Sequence, residues 1–348
     1  MASLLRGKKA VNILIYSPLF YPSIGGTETV TEILAMGFVK AGHSVKVITQ
    51  TLASETEKKS FPFTIIRQPK PPEFLGLMQW CDVFFQGSVS LKGLWPLLLI
   101  RRPLVVTHHT WYRRPAGGLK LPDRLKRGVT YLSTNIAISD AIASNIPGTA
   151  TVIPNPYWRD RFYIMPEVRR DRDLVFLGRL VSDKGADILI SALAHLKEKG
   201  IQPQLTIIGT GPEEDNLKTQ IKHHNLESQI EFKGIQTGEK LTTILNQHRI
   251  LVVPSRWQEP FGLVALEGIA CGCVVVGSAG GGLKTAIGDC GVTFPNNDVQ
   301  TLTEILFNLL TNPQQLKYYQ DAAQNHLNKH KPETVVKSYL AIIEPLLQ

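Results

Sequence analysis

The chain has 348 residues, enough for two domains with sizeable cores. Its apolar fraction of 43% and charged fraction of 19% exclude wholesale disorder. The net charge is +9, and no apolar run approaches the ~18 residues of a membrane span. Lys8 and Lys9 precede only a short apolar stretch before Ser17-Pro18, too short for a secretory segment, so a cytoplasmic protein is expected. Cys81, Cys271, Cys273 and Cys290 lack zinc-ribbon spacing and read as small buried hydrophobes.

Strands are predicted over residues 11–17, 44–50, 63–67, 82–86, 103–108, 134–139 and 151–154. The clearest helix is 27–41. Its apolar positions Val30, Ile33, Leu34, Gly37, Phe38 and Ala41 share one face, and Gly42 closes it. Strand, Gly-Gly turn, helix and strand make a βαβ unit, hence a parallel sheet covered on both faces. The pattern stops at Pro154-Asn155-Pro156, and residues 157–172 are aromatic, basic and aperiodic, as in a linker. Strands then restart at 174–178, 204–209, 229–232, 250–254, 274–277 and 292–294. A helix over 187–199 places Ile188, Leu189, Ala192, Leu193 and Leu196 on one face, with Gly200 as a stop. The expected fold class is α/β: two Rossmann-like doubly wound domains, 1–156 and 173–331, facing across a cleft. Ligands bind such sheets beyond the carboxyl ends of the strands. Pro313 and Pro332 divide the tail into three helices. The last, 332–348, has no following strand and is expected to pack back on the N-terminal domain.

The charge is unevenly placed. Residues 1–157 carry 18 Lys and Arg against 8 Asp and Glu, whereas residues 174–348 carry 15 against 17. Lys92 to Arg127 alone holds nine basic residues and one acid, Asp123. Such a patch suits an anionic partner: a phosphate-bearing substrate, an acidic bilayer or nucleic acid.

The most informative segment is Pro254-Ser255-Arg256-Trp257-Gln258-Glu259-Pro260-Phe261-Gly262-Leu263-Val264-Ala265-Leu266-Glu267. Pro260 suits a first helical position, which makes Glu259 the expected N-cap. The free N–H groups of Phe261, Gly262, Leu263 and Val264 then form an anion site, and Gly262 permits close approach. Glu267 lies eight residues beyond Glu259, ~12 Å along a helix. Two carboxylates bracketing an anion site match a nucleotide-sugar: sugar hydroxyls on one, ribose diol on the other, diphosphate between. A plain capped helix with one solvated Glu explains the same residues.

Gly178-Arg179 and Lys184-Gly185 follow the first rear strand. Arg and Lys five residues apart can neutralise a diphosphate without a metal, or form a solvated basic turn. Gly209-Thr210-Gly211 leaves room for a base or phosphate, or serves a tight turn. In the front half, Gly25-Gly26 offers backbone N–H groups to a phosphate, but the motif is not G-x-G-x-x-G. His108 and His109 end a strand and point to opposite sides, so at most one faces a ligand. No carboxylate or Cys lies at ligand spacing from them, so no metal is expected.

Glu259-Pro-Phe-Gly-Leu-x-x-x-Glu267 resembles the E-x7-E signature of retaining glycosyltransferases of family 4. Pro18 to Gly26 resembles that family's donor-phosphate loop. Ala41-Gly42-His43-Ser44-Val45 resembles its second-strand entry, where His43 is structural. Thr107-His108-His109 resembles its T-x-H, Val152-Ile153-Pro154-Asn155 its pre-linker strand, and Gly178-Arg179…Lys184-Gly185 its phosphate clamp. Pro156 departs from the family, which usually has Gly after the Asn.

The resemblance implies the GT-B fold, a nucleotide-sugar donor, no metal and retention of anomeric configuration. It places the donor diphosphate among Arg179, Lys184, the N–H groups of Leu263 and Val264, and Gly26. Glu267 takes the ribose, Glu259 the transferred sugar, and His109 contacts that sugar. Base contacts are expected near Gly209 and Gly234-Ile235, with Gly25, Gly178 and Gly211 completing the donor loops. Family frequency favours a UDP-hexose such as UDP-glucose. The acceptor is expected to be a saccharide or lipid-linked saccharide in polysaccharide or glycolipid synthesis. A non-catalytic nucleotide-sugar-binding module and a GT-B sugar-nucleotide epimerase are the alternatives. Asp171-Arg172-Asp173 resembles the metal-binding D-x-D of another glycosyltransferase class, but inside a linker it reads as a charged connector. Between Lys92 and Arg127 the basic residues interleave with Leu94, Trp95, Leu97, Trp111, Tyr112 and Leu119. That mixture predicts peripheral docking of the front half on an anionic membrane rather than on nucleic acid, or else two ordinary core helices with solvated edges.

Overall fold

The computed structural model describes residues 10–23, 25–53, 59–112 and 121–347. The chain divides into two compact units: Met1–Pro156 with Pro332–Gln348, and Tyr157–Lys331.

The front unit runs β1 (Asn12–Tyr16), α1 (Gly26–Lys40), β2 (Ser44–Thr49), β3 (Thr64–Arg67), α2 (Pro71–Trp80), β4 (Val83–Gln86), α3 (Leu91–Leu94), β5 (Leu104–His108), α4 (Leu121–Val129), β6 (Thr134–Ala137), α5 (Asp140–Ala143) and β7 (Ala150–Val152). The strands form one parallel sheet in the order β3-β2-β1-β4-β5-β6-β7. Ile13, Leu14, Ile15, Val47, Phe84, Phe85, Val105 and Val106 are fully buried, as near-continuous apolar strands covered on both faces must be. The α1 stripe buries Val30, Ile33, Leu34 and Phe38 against that sheet.

The rear unit runs β8 (Arg172–Leu177), α6 (Ala186–Glu198), β9 (Leu205–Ile208), α7 (Glu214–His223), β10 (Ile230–Gly234), α8 (Gly238–Gln247), β11 (His248–Val253), α9 (Leu263–Ala270), β12 (Val274–Ser278), α10 (Leu283–Ile287), β13 (Gly291–Phe294), α11 (Val299–Thr311), α12 (Pro313–Asp321) and α13 (Ala323–Lys329). Its parallel sheet has the order β10-β9-β8-β11-β12-β13. The tail is broken once more than the prolines predict, at Ala322.

The last helix, α14 (Pro332–Ile343), belongs to the front unit. It lies on α1 where Gly37 leaves a notch: a Cβ there would sit 2.2 Å from Val336 Cγ2. Tyr339 is fully buried between Phe38 and Phe85, and its hydroxyl accepts a hydrogen bond from Thr107 Oγ1 at 3.3 Å. His43 is buried too, its Nδ1 accepting the Val11 N–H at 3.2 Å.

Residues 92–127 depart from the sequence reading. Tyr112 is 5% exposed and serves the core, while Leu94, Trp95 and Leu97 are half-buried, Trp95 edge-on to Phe74. The exposed apolar side chains of the region are others, Leu98, Leu99, Leu121 and Leu125, with Tyr131 and Leu132 just beyond it. Arg113, Arg114 and Leu119 lie outside the described residues. Interleaving along a chain does not say which side of each element faces out; packing does.

Candidate active site

In doubly wound sheets, ligand sites form beyond the strand ends where the connections diverge to either side. In the rear unit that point lies between β8 and β11. Strand β8 runs into Gly178 and Arg179, then a single 3₁₀ turn, Ser182–Lys184. Arg179 is exposed, and its side chain makes no hydrogen bond or ion pair among the described residues. Strand β11 runs into Pro254 and Ser255. The two loops are tied together, because the Asp183 carbonyl accepts the N–H groups of Arg256 (2.8 Å) and Trp257 (3.2 Å).

That tie brings Lys184 to Glu259. Lys184 Nζ lies 2.5 Å from Glu259 Oε1, and the same oxygen accepts a hydrogen bond from Ser255 Oγ at 2.8 Å. Ser255 is 1% exposed and Glu259 9%. With both donors on Oε1, the second carboxylate oxygen has no protein partner among the described residues and is available to a hydroxyl.

The expected N-cap role of Glu259 does not hold. Its backbone is extended, in a parallel bridge with Gly281, and its carbonyl accepts the Gly282 N–H at 2.6 Å. Phe261 is buried against His330, and Gly262 then turns left-handed with φ 98°. Helix α9 therefore starts only at Leu263, so the first-turn N–H groups are those of Leu263 and Val264, not of Phe261 and Gly262. The left-handed φ favours glycine there, and a Cβ would also press on Leu283 Cδ1 at 2.5 Å. Glu267 sits in the second helical turn, ~6 Å along the axis from Leu263 rather than ~12 Å from a capping Glu259. Burial pushes its carboxyl up to about 7, against the pull of the Arg161 guanidinium.

Gly209 and Gly211 have a clear packing role. Gly209 has φ 132°, and a Cβ there would lie 1.9 Å from the Gly178 carbonyl oxygen; at Gly211 it would lie 2.2 Å from that of Leu180. Leu180 donates its N–H to Thr210 and accepts that of Glu213, both at 3.0 Å. The loop after β9 thus braces the loop that carries Arg179. Gly209 donates its own N–H to Gly234, at 2.8 Å, while Ile235 is 71% exposed beside it.

Two supporting residues escape the sequence reading. Ser255 stands four residues before Glu259, a spacing that carries no known signal outside this loop. Asn296, distant in sequence, donates to the carbonyls of Ser255 and Arg256 (both 3.1 Å) and accepts the Gly280 N–H (2.8 Å). It fastens the Glu259 loop to the loop after β12.

In the front unit, Gly25 caps α1 with extended backbone. The Glu28 carboxylate lies against it and accepts a hydrogen bond from Ser23 Oγ at 3.0 Å, so the first turn of α1 already holds a negative charge. Gly26 is the first residue of that helix. His108 is buried between Tyr112 and Asn135. Its Nε2–H donates to Asn135 Oδ1 (2.9 Å), so Nδ1 accepts from the Tyr112 hydroxyl (2.7 Å). Burial holds this imidazole down at about 4. His109 is half-buried and makes no hydrogen bond among the described residues; burial and the neighbouring His108 hold it neutral, at about 3. The two histidines thus divide into a structural one and an unengaged one.

Asp173 pairs with Arg249 and accepts the Gln204 N–H at 3.0 Å, and Asp171 lies 3.6 Å from Arg169. Asp173 belongs to β8 rather than to a loop. Among the described residues no three His, Cys, Asp or Glu side chains converge as a metal site. All four cysteines are free and buried.

Residues 164–326 match the family of glycosyl transferases group 1. A glycogen synthase of Mycobacterium tuberculosis is 34% identical over 157 residues, 44% of this chain and 38% of that protein. The chain thus matches little more than a third of that relative's length. Among solved structures, a sucrose-phosphate synthase of Thermosynechococcus elongatus superimposes with TM-score 0.81 at 20% identity, covering 97% of this chain and 99% of that one. The Anabaena protein HepE, in complex with UDP and glucose, superimposes with TM-score 0.78 at 20% identity, over 96% and 99%. The chain has the GT-B fold. The Arg179, Lys184, Glu259 and Glu267 positions of this GT-B protein all fall inside the group 1 match. Among its described residues no helix is long and apolar enough to cross a membrane.

Proposed function

We propose that this protein is a retaining, metal-independent hexosyltransferase of family 4 type. It moves a hexose from a UDP-hexose, UDP-glucose being the first candidate, to a saccharide or lipid-linked saccharide. The observation that carries this reading is the Lys184–Glu259–Ser255 cluster at the divergence of the rear sheet, with Arg179 on the same loop as Lys184, within the segment that matches group 1 glycosyl transferases. That HepE binds UDP and glucose on the same fold favours the donor class.

In this reading Arg179 and Lys184 take the diphosphate together with the N–H groups of Leu263 and Val264. Their positive charge opposes the negative charge that builds on the leaving phosphate, and fixed donors of this kind carry much of the rate in such sites. The free oxygen of Glu259 takes a hydroxyl of the transferred sugar, and Glu267 the ribose diol. In the front unit, Gly25 and Gly26 are assigned to the donor phosphate by resemblance, and the neutral His109 to the transferred sugar. Since both carboxylates are assigned to binding, same-face transfer assisted by the leaving group fits better than a double displacement. A thermal-shift panel of nucleotide-sugars tests the donor class: a ligand at 100 times its Kd adds ~2.7 kcal/mol of stability. No shift with any of them removes the proposal. Chelation by EDTA is expected to leave transfer unchanged; loss on chelation restored by Mn²⁺ would return the Asp171-Arg172-Asp173 motif to consideration.

The two glutamates are expected to fail differently in calorimetry. Glu267→Gln weakens UDP and UDP-sugar alike, because it acts on the ribose. Glu259→Gln spares UDP and lowers sugar transfer. With its carboxyl at about 7, Glu267 gains negative charge as pH rises from 6 to 8, so UDP binding strengthens over that range relative to Glu267→Gln. Equal losses of UDP affinity in the two variants contradict the assignment.

A further inference from the structure

Helix α4 packs the wrong way round for a globular domain. Its apolar residues Leu121, Leu125 and Val129 recur at i, i+4 and i+8 and so form one stripe, yet none of its residues is buried. Leu121 is 70% exposed and Leu125 52%. The opposite side meets the protein, where Arg127 donates to the Asn145 carbonyl at 3.2 Å. On the helical wheel Arg124 and Lys126 flank the leucine stripe, one on each side. Exposed apolar side chains continue past the helix end at Tyr131 (70%) and Leu132 (85%). Helix α3, which packs against α4, leads into Leu98 (86%) and Leu99 (69%), with Arg101 exposed beyond them.

We propose that this face of the front unit seats the protein on an anionic lipid bilayer, with the α4 leucines in the headgroup–acyl boundary and Arg124, Lys126 and Arg101 on the lipid phosphates. An outward leucine stripe between two long basic side chains is the geometry of a helix lying in an interface plane: the apolar face enters, and the basic heads reach back to the headgroups. Cations on both sides of the stripe match a surface that is anionic all round an embedded helix, as a leaflet of acidic lipid is. Asp123 is the one acid of α4. The inference goes beyond the transfer reaction and stands without it.

The test is flotation of the full chain with phosphatidylcholine vesicles, with and without phosphatidylglycerol. Binding is expected only to the anionic vesicles at about 0.1 M salt, where charges act over about 10 Å. Replacing Arg124 and Lys126 together by Ala is expected to weaken partition about 30-fold, from a factor of about 5 per cation. Leu121→Ser with Leu125→Ser is expected to weaken it about 10-fold or more, through lost apolar burial. Melting temperature and UDP binding should be unchanged in both variants, because α4 carries none of the donor residues. Absence of flotation, or flotation indifferent to the leucine pair, overturns the proposal. So does self-association in solution that the leucine pair abolishes, which would mean that a second copy covers the face. UDP binding measured on the same samples reports separately on the transferase reading.

Discussion

Replacing Lys184 by alanine is expected to lower turnover of a UDP-sugar about 100-fold or more, without unfolding the protein. Two effects add. The substitution removes a charge-assisted contact to the leaving diphosphate, of a kind worth ~10²–10³ in rate where the donor is preorganised. It also strips Glu259 of its 2.5 Å ion pair, leaving Ser255 as the only donor to that carboxylate among the described residues. Arg179→Ala removes a phosphate contact alone, since the Arg179 side chain holds no other residue among those described. Lys184→Ala should therefore cost more transfer than Arg179→Ala. Steady-state rates of the two variants with a UDP-sugar check this. Full activity in Lys184→Ala removes the phosphate-clamp assignment.

Tyr339→Ala is expected to destabilise the front unit by ~3–5 kcal/mol, the usual cost of deleting a large buried aromatic side chain. The ring is fully buried between Phe38 and Phe85, so little around it can collapse into the space. Against a total stability of ~5–15 kcal/mol this is a large fraction. Tyr339→Phe should cost only ~1 kcal/mol, from the hydrogen bond with Thr107. Urea unfolding followed by circular dichroism checks both. A loss below ~1 kcal/mol for the alanine variant would mean that α14 is held by something other than this ring.

Much of the architecture is legible in the sequence because hydrophobic period and turn chemistry are local. The strand runs, the α1 stripe closed by Gly42 and the break after Pro156 each express a backbone preference that neighbouring residues share. Arg179, Lys184, Glu259 and Glu267 stand out for the same reason: charged residues next to strand ends and glycines have few other uses in a doubly wound sheet. Their joining does not follow from the sequence. Lys184 and Glu259 are 75 residues apart, and their loops are brought together by the Asp183 carbonyl, bonded to Arg256 and Trp257, and by the Arg256 side chain, which donates to the Ser182 carbonyl at 2.9 Å. The start of α9 was likewise beyond local reading. Pro260 favours a helix, but the bridge between Glu259 and Gly281 holds the chain extended until Gly262 can turn it. A proline preference of a fraction of the energy of a buried backbone hydrogen bond yields to that bond.

By itself, then, the sequence determined two parallel α/β sheets, where each breaks, and which charged groups stand at their carboxyl ends, because period 2, period 3.6 and φ preferences act within a few residues. The tertiary structure alone decided three things. It placed Ser255 and Asn296 behind Glu259, since hydrogen bonds across loops depend on where the sheet sets each strand end. It put the α14 aromatic ring under the front sheet's cover, since only a notch at Gly37 lets that helix approach α1. It turned the leucines of α4 outward, because an amphipathic stripe specifies a face but not its direction, which is set by whichever side the neighbouring elements leave uncovered.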